Sequence, residues 1–330
     1  MTATPLLGFC IPTYKRPDQL VRCVRSIIRS AAPHGVPVHI ADDAADDTNV
    51  AAIAALRAEY PLVFHHRNER NLGIDRNILH AVDVCDARHA WIIGEDDRVT
   101  PEAVPAVLDV LSRGERPFVY VNYASVDDTL TTVLAERSLP LERDGEKSAE
   151  AFFAEDAWSM GFIGACVVDR ARWATVRSDA YVGTYYAHVG TIMEYLRGAR
   201  VHLVARPVVL NRCGTPGIFT WRSATFDVLH GWSAMVDRLR GVYPADVCDR
   251  ATASFRRAHG VGTVPFFAYL RADRALDPAV HARYVQDGPY SPAARRAAWW
   301  IARTPPQLFQ AARGTLRAVR RVRNRRISGY

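Results

Sequence analysis

The sequence predicts an α/β fold with a mainly parallel central sheet, followed by a helical C-terminal region. In the first half, short apolar runs alternate with stretches whose apolar residues recur at helical spacing, as in parallel strands joined by helices. Beyond residue 217 the helical spacing continues without such runs. With 330 residues and 49% hydrophobic side chains, the chain can bury a substantial core.

The first 112 residues supply four predicted strands, at 6–11, 36–41, 62–65 and 91–94. Helices are predicted between them; Leu20, Val24 and Ile27, for example, share one helical face. Further strands are predicted at 118–123, 201–204 and 206–212, a hairpin or flexible loop at 126–147, and a helix within 183–196. This order predicts right-handed crossovers that bring the strands into one sheet.

Polar side chains follow the end of each of the first four predicted strands. They are Thr13, Tyr14, Asp42, Asp43, Asn71, Arg76, Glu95, Asp96 and Asp97. Because parallel strands end at the same edge of a sheet, we expect these residues to form one rim, where α/β sheets bind ligands. Three successive carboxylates at Glu95, Asp96 and Asp97 favour a divalent cation; an acidic turn before the helix near Thr100 is the alternative.

Motif absences exclude several function classes. No Gly-x-Gly-x-x-Gly follows the first predicted strand, and no Gly-x-x-x-x-Gly-Lys-Ser/Thr occurs in the sequence. This removes the main sequence support for a dinucleotide oxidoreductase or a P-loop enzyme. The six cysteines form no Cys-x-x-Cys pair, so we expect reduced, buried thiols. If the fold holds the phosphates of a nucleotide, it would do so through a cation bound by the carboxylates.

The net charge of +7 belongs to the C-terminal tail. Seven arginines and no acid lie between Ala311 and Tyr330, and the rest of the chain has no net charge. We therefore expect no nucleic-acid partner. The tail is predicted either to lie on an anionic membrane as a basic amphipathic helix or to pack on its own domain.

No apolar run reaches the roughly eighteen residues of a membrane span, and Met1 to Pro5 lacks the basic start of a secretion signal. We expect a cytoplasmic protein, with peripheral contact at the inner membrane face if the tail binds lipid.

Four segments of the sequence match the motifs of a known family in their order and spacing. They are Phe9 to Pro17, Ile40 to Thr48, Arg70 to Asn77 and Gly94 to Asp97. Together they resemble family 2 glycosyltransferases of the GT-A fold, in particular bacterial sugar transferases of the abequosyltransferase type. The resemblance covers residues 6 to about 112 and is thin beyond 215. It also implies that residues 162–170 form the acceptor-side strand of the family.

The resemblance implies roles for the rim residues. Pro12, Tyr14 and Asp43 would line the pocket for the nucleotide base, with Asp42 close by, and Arg76 would face the phosphates. Asp97 would bind Mn²⁺ or Mg²⁺, and Asp96 would contact the ribose. Glu95 stands where many members have an aspartate or a small residue. The remaining rim residues, Thr13, Asn71 and Glu95, are assigned to the same nucleotide-sugar site.

The catalytic base departs from the family pattern. Inverting members usually place a Glu-Asp pair at the start of a later helix, and here Ala187 and His188 occupy those positions. Histidine is able to accept a proton near neutral pH, so His188 is the predicted base; a histidine packed at a helix start is the alternative. Asp156 is the reserve candidate. Arg222 is expected either on a lid that reaches the diphosphate or in a packed loop.

These inferences predict an inverting, metal-dependent glycosyltransferase that moves a sugar from a nucleotide-diphosphate donor to an acceptor hydroxyl. Residues 1–217 would form the catalytic domain, with a nucleotide-sugar half (1–112) and an acceptor half (113–217), and residues 218–330 a helical domain. The acceptor would be a glycan, a lipid-linked intermediate or a secondary metabolite. A nucleotidyltransferase and a non-catalytic nucleotide- or glycan-binding protein remain as alternatives.

Overall fold

A computed structural model describes residues 4–213 and 221–312 of the chain, with backbone alone for residues 221–223. The strands are β1 (Leu7–Thr13), β2 (Val38–Asp42), β3 (Val63–Arg67), β4 (His89–Ile92), β5 (Arg98–Val99), β6 (Phe118–Val126), β7 (Val133–Ala135), β8 (Gly145–Ser148), β9 (Cys166–Asp169) and β10 (Arg200–Arg212). The helices are α1 (Pro17–Ala31), α2 (Val50–Glu59), α3 (Ile74–Asp83), α4 (Ala103–Ser112), α5 (Ala149–Glu155), α6 (Arg170–Trp173), α7 (Ala187–Tyr195), α8 (Trp221–Leu239), α9 (Ala245–Ala258), α10 (Val264–Ala272), α11 (Pro278–Val280) and α12 (Pro292–Arg303).

One sheet contains all ten strands of the described residues. Its order is β3-β2-β1-β4-β9-β6-β10-β5, with β7 beside β6 and β8 beside β10. The four strands predicted from the first 112 residues run parallel to one another. The second half is mixed, because β9 is antiparallel to both β4 and β6 while β6 and β10 are parallel. The α/β prediction is confirmed.

Aromatic packing fixes the centre of the sheet. Phe9 of β1 stacks on Trp91 of β4 with ring centroids 5.0 Å apart. Both side chains are fully buried, and the Trp91 indole N–H donates to the Gly164 carbonyl at 3.0 Å. Because Cys10 pairs with Ile92 in the β1–β4 ladder, the two strands end at the same edge of the sheet. The loops after β1 and β4 are thereby brought side by side.

β10 is one strand of 13 residues where the sequence predicts two. Its pairing with β6 shifts register between Val204 and Val209, and Pro207 lies within that irregularity. Proline has no N–H to donate to a ladder and is tolerated in sheets at bulges. The predicted break is therefore a β-bulge, and the strand continues on to Arg212.

The chain divides into two compact units. Unit 1 contains Met1–Gly217 and His230–Thr252, and unit 2 contains Ile218–Leu229 and Ala253–Tyr330. Unit 1 holds the sheet. Unit 2 is helical in the described residues and has its own apolar core, which includes Phe267, Leu276 and Ile301. The predicted boundary after residue 217 stays a prediction, since α8 and α9 each contribute residues to both units.

Gly231 of α8 lies directly against the backbone of Thr184. A Cβ at this position would overlap the backbone carbonyl oxygen of Thr184, just before α7, and backbone does not move aside as a flexible side chain does. We expect Gly231→Ala to lower the free energy of unfolding by about 3 kcal/mol, despite the better helix propensity of alanine. Gly241→Ala is the matched control, because a Cβ there meets nothing within 4 Å. Urea unfolding curves measure both, and equal curves would contradict the packing.

Candidate active site

The carboxyl ends of the parallel strands converge on one rim. The backbone N–H of Asp43 donates to the Thr13 carbonyl at 2.9 Å, and that of Ile93 donates to the Cys10 carbonyl at 3.0 Å. The Asn68 N–H donates to the Asp42 carbonyl at 2.9 Å and extends the rim beyond β3. The loops that carry the predicted site residues therefore lie on neighbouring strands.

The acidic loop after β4 buries its last carboxylate. A Cβ on Gly94 would overlap an Asp97 side-chain oxygen, so only glycine leaves room for the carboxylate to fold back over the loop. The Asp97 carboxylate is 4% exposed and accepts the Arg212 backbone N–H at 3.0 Å. Burial raises the pKa of Asp97 well above its ordinary value, and the neighbouring Asp96 charge raises it further. A cation at this point would relieve both effects.

Glu95 joins the acidic loop to the loop after β1. One of its oxygens accepts the Thr13 hydroxyl and the Tyr14 backbone N–H, the latter at 2.9 Å. Its other oxygen lies 3.4 Å from the Arg16 guanidinium, which is also 3.8 Å from Asp96. Burial raises the pKa of Glu95 to about 7, against the hydrogen bonds from Thr13 and Tyr14. Glu95 thus braces two rim loops, a role that sequence reasoning missed together with Arg16.

Asp42 and Asp43 are both buried and have protein partners. Asp42 accepts hydrogen bonds from Asn49 at 2.7 Å and from the Ala44 N–H at 3.1 Å, and it lies 3.0 Å from His65. Burial acts to raise the pKa of Asp42, but the hydrogen bonds from His65, Asn49 and Ala44 outweigh it and lower that pKa.

The Asp43 carboxylate holds the loop that begins α3. It accepts the Asn68 side-chain amide at 2.9 Å, the Leu72 N–H at 2.7 Å and the Gly73 N–H at 3.1 Å. Gly73 has a φ of +79°, a conformation that favours glycine. Any contact of Asp42 or Asp43 with a nucleotide stays a prediction.

The other predicted donor residues lie around the same rim. Tyr14 is 47% exposed, and Pro12 pairs with Ala41 in the β1–β2 ladder. The Asn71 side chain accepts the Gly73 N–H at 2.8 Å. Arg76 forms an exposed ion pair with Asp179 at 2.5 Å, a contact that a phosphate is able to replace because exposed pairs contribute little stability. The Arg222 side chain lies outside the described residues.

His188 is buried at the start of α7. Its Nε2 lies 2.8 Å from the Met160 carbonyl, and since a carbonyl only accepts, this nitrogen carries the proton. Nδ1 then holds the lone pair and has no hydrogen-bond partner among the described residues. Burial lowers the pKa of His188, so the imidazole is neutral at pH 7. Nδ1 therefore carries no proton, but it is itself buried, so an acceptor hydroxyl reaches it only when the packing around the start of α7 opens.

The reserve candidate Asp156 is already engaged with a cation. Its carboxylate is 15% exposed and pairs with the Lys147 ammonium, which also lies 3.0 Å from Glu155. Burial raises the pKa of Asp156, against the Lys147 charge and hydrogen bond. Proton transfer to Asp156 would disturb this pair.

Asp75 and Asn77 of α3 are further site residues that sequence reasoning missed. The Asp75 carboxylate accepts the Gly183 and Tyr185 backbone N–H groups at 2.8 and 3.0 Å, and so holds the turn before α7. The Asn77 amide donates to the Ala41 carbonyl at 3.1 Å, at the end of β2. Because Asp75 adjoins Arg76, α3 links the rim to the helix that carries His188. Because polar residues are common in the first turn of a helix, the sequence alone does not indicate either contact.

The carboxylates of the acidic loop fit a divalent cation. No three carboxylate, imidazole or thiol side chains gather into a metal-binding group within residues 4–213 and 221–312. A Mg²⁺ or Mn²⁺ site built from one or two carboxylates and substrate phosphates does not require three protein ligands. Asp97 supplies a buried oxygen ligand, and Asp96 beside it adds a second oxygen donor. The donor set suits hard cations of this kind.

Comparison with known proteins finds a family that part of the chain resembles. Residues 9–167, which contain the rim and the acidic loop, match the family described as Glycosyl transferase family 2. This matched segment is just under half of the chain. Abequosyltransferase RfbV of Salmonella typhimurium is 26% identical over 222 residues, which are 63% of this chain and 66% of that protein. The match thus spans just under two thirds of the relative's length, and the predicted resemblance is confirmed.

Solved structures share the fold of this chain. S. aureus TarS (residues 1–349) in complex with UDP-GlcNAc has a TM-score of 0.58 at 12% identity, with 93% of this chain and 92% of TarS covered. The mannosyltransferase PcManGT from Pyrobaculum calidifontis, in complex with GDP-Man and Mn²⁺, has a TM-score of 0.50 at 16% identity, with 91% and 86% covered. The likeness to TarS confirms the GT-A fold predicted from the motifs.

Proposed function

We propose that this protein is a glycosyltransferase that moves a sugar from a nucleotide-diphosphate donor to an acceptor hydroxyl. The observation that carries the proposal is the buried Asp97 carboxylate beside Asp96, at the carboxyl-end rim of a family 2 domain. Two solved structures of similar fold, TarS in complex with UDP-GlcNAc and PcManGT in complex with GDP-Man and Mn²⁺, support a nucleotide-sugar donor.

In the proposed site, Asp97 would hold Mn²⁺ or Mg²⁺, with Asp96 beside it at the ribose. The cation supplies charge neutralisation for the departing nucleoside diphosphate. Tyr14 and Pro12 would contact the base, and Arg76 would exchange Asp179 for a phosphate oxygen. The remaining donor-side residues are Thr13, Asp42, Asp43, Asn71, Glu95 and Arg222. Of these, Glu95, Asp42 and Asp43 would act by holding the rim loops in place.

The transfer step we propose inverts the anomeric centre. His188 Nδ1 takes the proton of the acceptor hydroxyl, whose oxygen forms a bond to the anomeric carbon as the bond to the donor phosphate oxygen breaks. Attack in line with the leaving group requires the acceptor and donor to be held in one geometry. Asp75 supports this by fixing the turn from which α7 begins. Asp156 stays the reserve base.

The acceptor we propose is a hydroxyl on a surface-polysaccharide intermediate carried by a lipid, with a soluble secondary metabolite as the alternative. A lipid-linked acceptor would place the protein at the inner face of the membrane, where the seven tail arginines would contact anionic lipid. Most of this tail lies outside the described residues, so its contact rests on composition. No helix of the described chain is long and apolar enough to cross a bilayer.

Thermal stabilisation by nucleotides tests the proposed site. UDP, dTDP, GDP, CDP and ADP are added separately to the purified protein, each with and without Mn²⁺ or Mg²⁺. A ligand that binds only the native state stabilises it by about 2.7 kcal/mol at a hundred times its dissociation constant. We expect one nucleotide to raise the melting midpoint, and to do so only with the metal. No shift with any nucleotide would contradict the proposal.

A further inference from the structure

The outward face of α12 consists of arginines and tryptophans. Side chains three and four positions apart share one face of a helix. The residues Arg295, Arg296, Trp299, Trp300 and Arg303 follow this spacing; we name them the Trp–Arg face. The opposite face of α12 is formed by Ala298, Ile301 and Ala302, which are buried in the core of unit 2. Core packing therefore holds the Trp–Arg face toward the outside of that unit.

The two tryptophans are unusually exposed for their size. Trp300 is 67% exposed and Trp299 39%, with their rings edge to face at a centroid distance of 4.9 Å. The Arg303 guanidinium lies over the Trp299 ring, 4.0 Å from its centroid. Leu308, in the helical stretch at 306–312, is 62% exposed. A patch of large exposed apolar side chains commonly marks a surface that binds another molecule or a membrane.

The charge around this face has one sign. From residue 288 to the end of the sequence there are ten arginines and no Asp or Glu. The Arg295 guanidinium donates to the Gly288 carbonyl at 2.8 Å, and Arg303 donates to the Trp299 carbonyl at 3.2 Å. In the described part of the chain none of the three arginines of α12 is paired with a carboxylate. The face therefore attracts anions.

A shallow cavity lies beside the tryptophans. Its volume is about 210 Å³, and it is lined by His281, Gln286, Arg295, Arg296, Trp299 and Trp300. Guanidinium groups bind phosphate oxygens through paired N–H donors. Two arginines and two indole rings that line one cavity suit a phosphate that is attached to an apolar body.

We propose that the Trp–Arg face docks the protein on an anionic lipid bilayer. The indole rings would lie at the level of the lipid headgroups, where tryptophan is enriched in membrane proteins, and the arginines would contact lipid phosphates. A soluble polyanion would require the arginines alone, whereas a bilayer accounts for the exposed Trp299, Trp300 and Leu308 as well. The inference rests on the proposed location at a membrane and is independent of the proposed chemistry.

Vesicle sedimentation of the full chain tests the surface. The vesicles are phosphatidylcholine, with or without a third of phosphatidylglycerol, at low salt and at 0.5 M NaCl. We expect binding to the anionic vesicles that weakens with salt, because exposed charges are screened. The double substitution Trp299→Ser with Trp300→Ser is expected to lower the partition coefficient at least about tenfold, and the corresponding Phe variant to restore most of it.

Two further variants separate this proposal from the one about the tail. Tyr269→Ser removes another exposed aromatic side chain of unit 2 and should bind as the wild type does. A variant with Arg320, Arg321 and Arg323 changed to Gln tests the tail alone. If the Trp double variant binds vesicles as well as the wild type, the Trp–Arg face is not the docking surface, and a loss in the tail variant would then assign docking to the tail. If the wild-type protein does not bind the anionic vesicles, neither the Trp–Arg face nor the tail docks on a membrane. The result of the nucleotide stabilisation test would not change.

Discussion

Asp97→Asn is expected to abolish sugar transfer while leaving the protein folded. The substitution keeps an oxygen to accept the Arg212 N–H at 3.0 Å, so the loop geometry is retained. It removes the negative charge that would hold the cation. Because a metal supplies several kcal/mol of transition-state stabilisation, we expect turnover to fall at least about a thousandfold.

The stability of Asp97→Asn should move in the opposite direction. The wild-type carboxylate is 4% exposed, and both burial and the Asp96 charge raise its pKa well above the ordinary value. Without bound metal, a neutral amide at this position avoids these costs. The melting midpoint of the metal-free variant should therefore equal or exceed that of the wild type.

Asp109→Asn provides the control for Asp97→Asn. Asp109 is 56% exposed on α4 and pairs with Arg113 on the surface, so its loss changes the net charge by the same amount without touching the rim. Its turnover should match the wild type. Full activity of Asp97→Asn, measured as nucleoside diphosphate released, would remove Asp97 from the metal site.

His188→Gln is expected to lower turnover by about 10²- to 10⁴-fold, the usual contribution of a general base. The glutamine amide is able to donate to the Met160 carbonyl as Nε2–H does at 2.8 Å, but it has no basic atom in place of Nδ1. Loss of activity in a folded variant would therefore report the base and not the packing.

The pH profile adds a second readout for His188. Burial lowers the pKa of His188 below its ordinary 6.5. A base acts in its deprotonated form, so the contribution of His188 should be present from pH 8 down past 6.5 and be lost only as the pH passes through this lowered value; any change near pH 7 comes from Glu95, whose pKa is about 7, and is common to both proteins. In His188→Gln this acidic limb should disappear from the residual activity.

His89 and Asp156 provide the comparison for His188. His89 is 1% exposed and contacts the Leu6 and Arg116 carbonyls at the start of β4, the opposite end of the strand from the rim. His89→Gln should lower the free energy of unfolding, but the turnover per folded molecule should match that of the wild type. If Asp156→Asn is inactive and His188→Gln retains activity, Asp156 is the base and His188 serves only to pack α7.

Local patterns in the sequence were sufficient to predict the parallel half of the sheet and its rim. Each of the first four strands is a short apolar run that ends in polar residues, and parallel strands place those ends together without further information. Thr13, Asp43 and Asp97 fall on the rim for this reason. The roles that the resemblance implies for them follow from the four motifs, which lie in these same loops.

Contacts between distant parts of the chain were not accessible. Asp75 holds the backbone at 183–185, and Glu95 holds Thr13 and Tyr14; nothing in the local sequence specifies such partners. The sequence predicts two strands where β10 is a single one, and only the pairing of β10 with β6 shows that a bulge accommodates Pro207. Burial of His188, which determines its protonation, likewise depends on tertiary packing.

The most direct test of the central claim is turnover of nucleotide-diphosphate sugars by the purified full chain with Mn²⁺. The donors carry the nucleotide base that raises the melting midpoint, and they are incubated with and without an acceptor alcohol. The released nucleoside diphosphate is measured, with Asp97→Asn as the blank. We predict release above the blank from one donor class, increased by the acceptor, with inverted configuration in the product. Release of nucleoside monophosphate or pyrophosphate, or no release above the blank from any donor, would contradict the assignment as a glycosyltransferase.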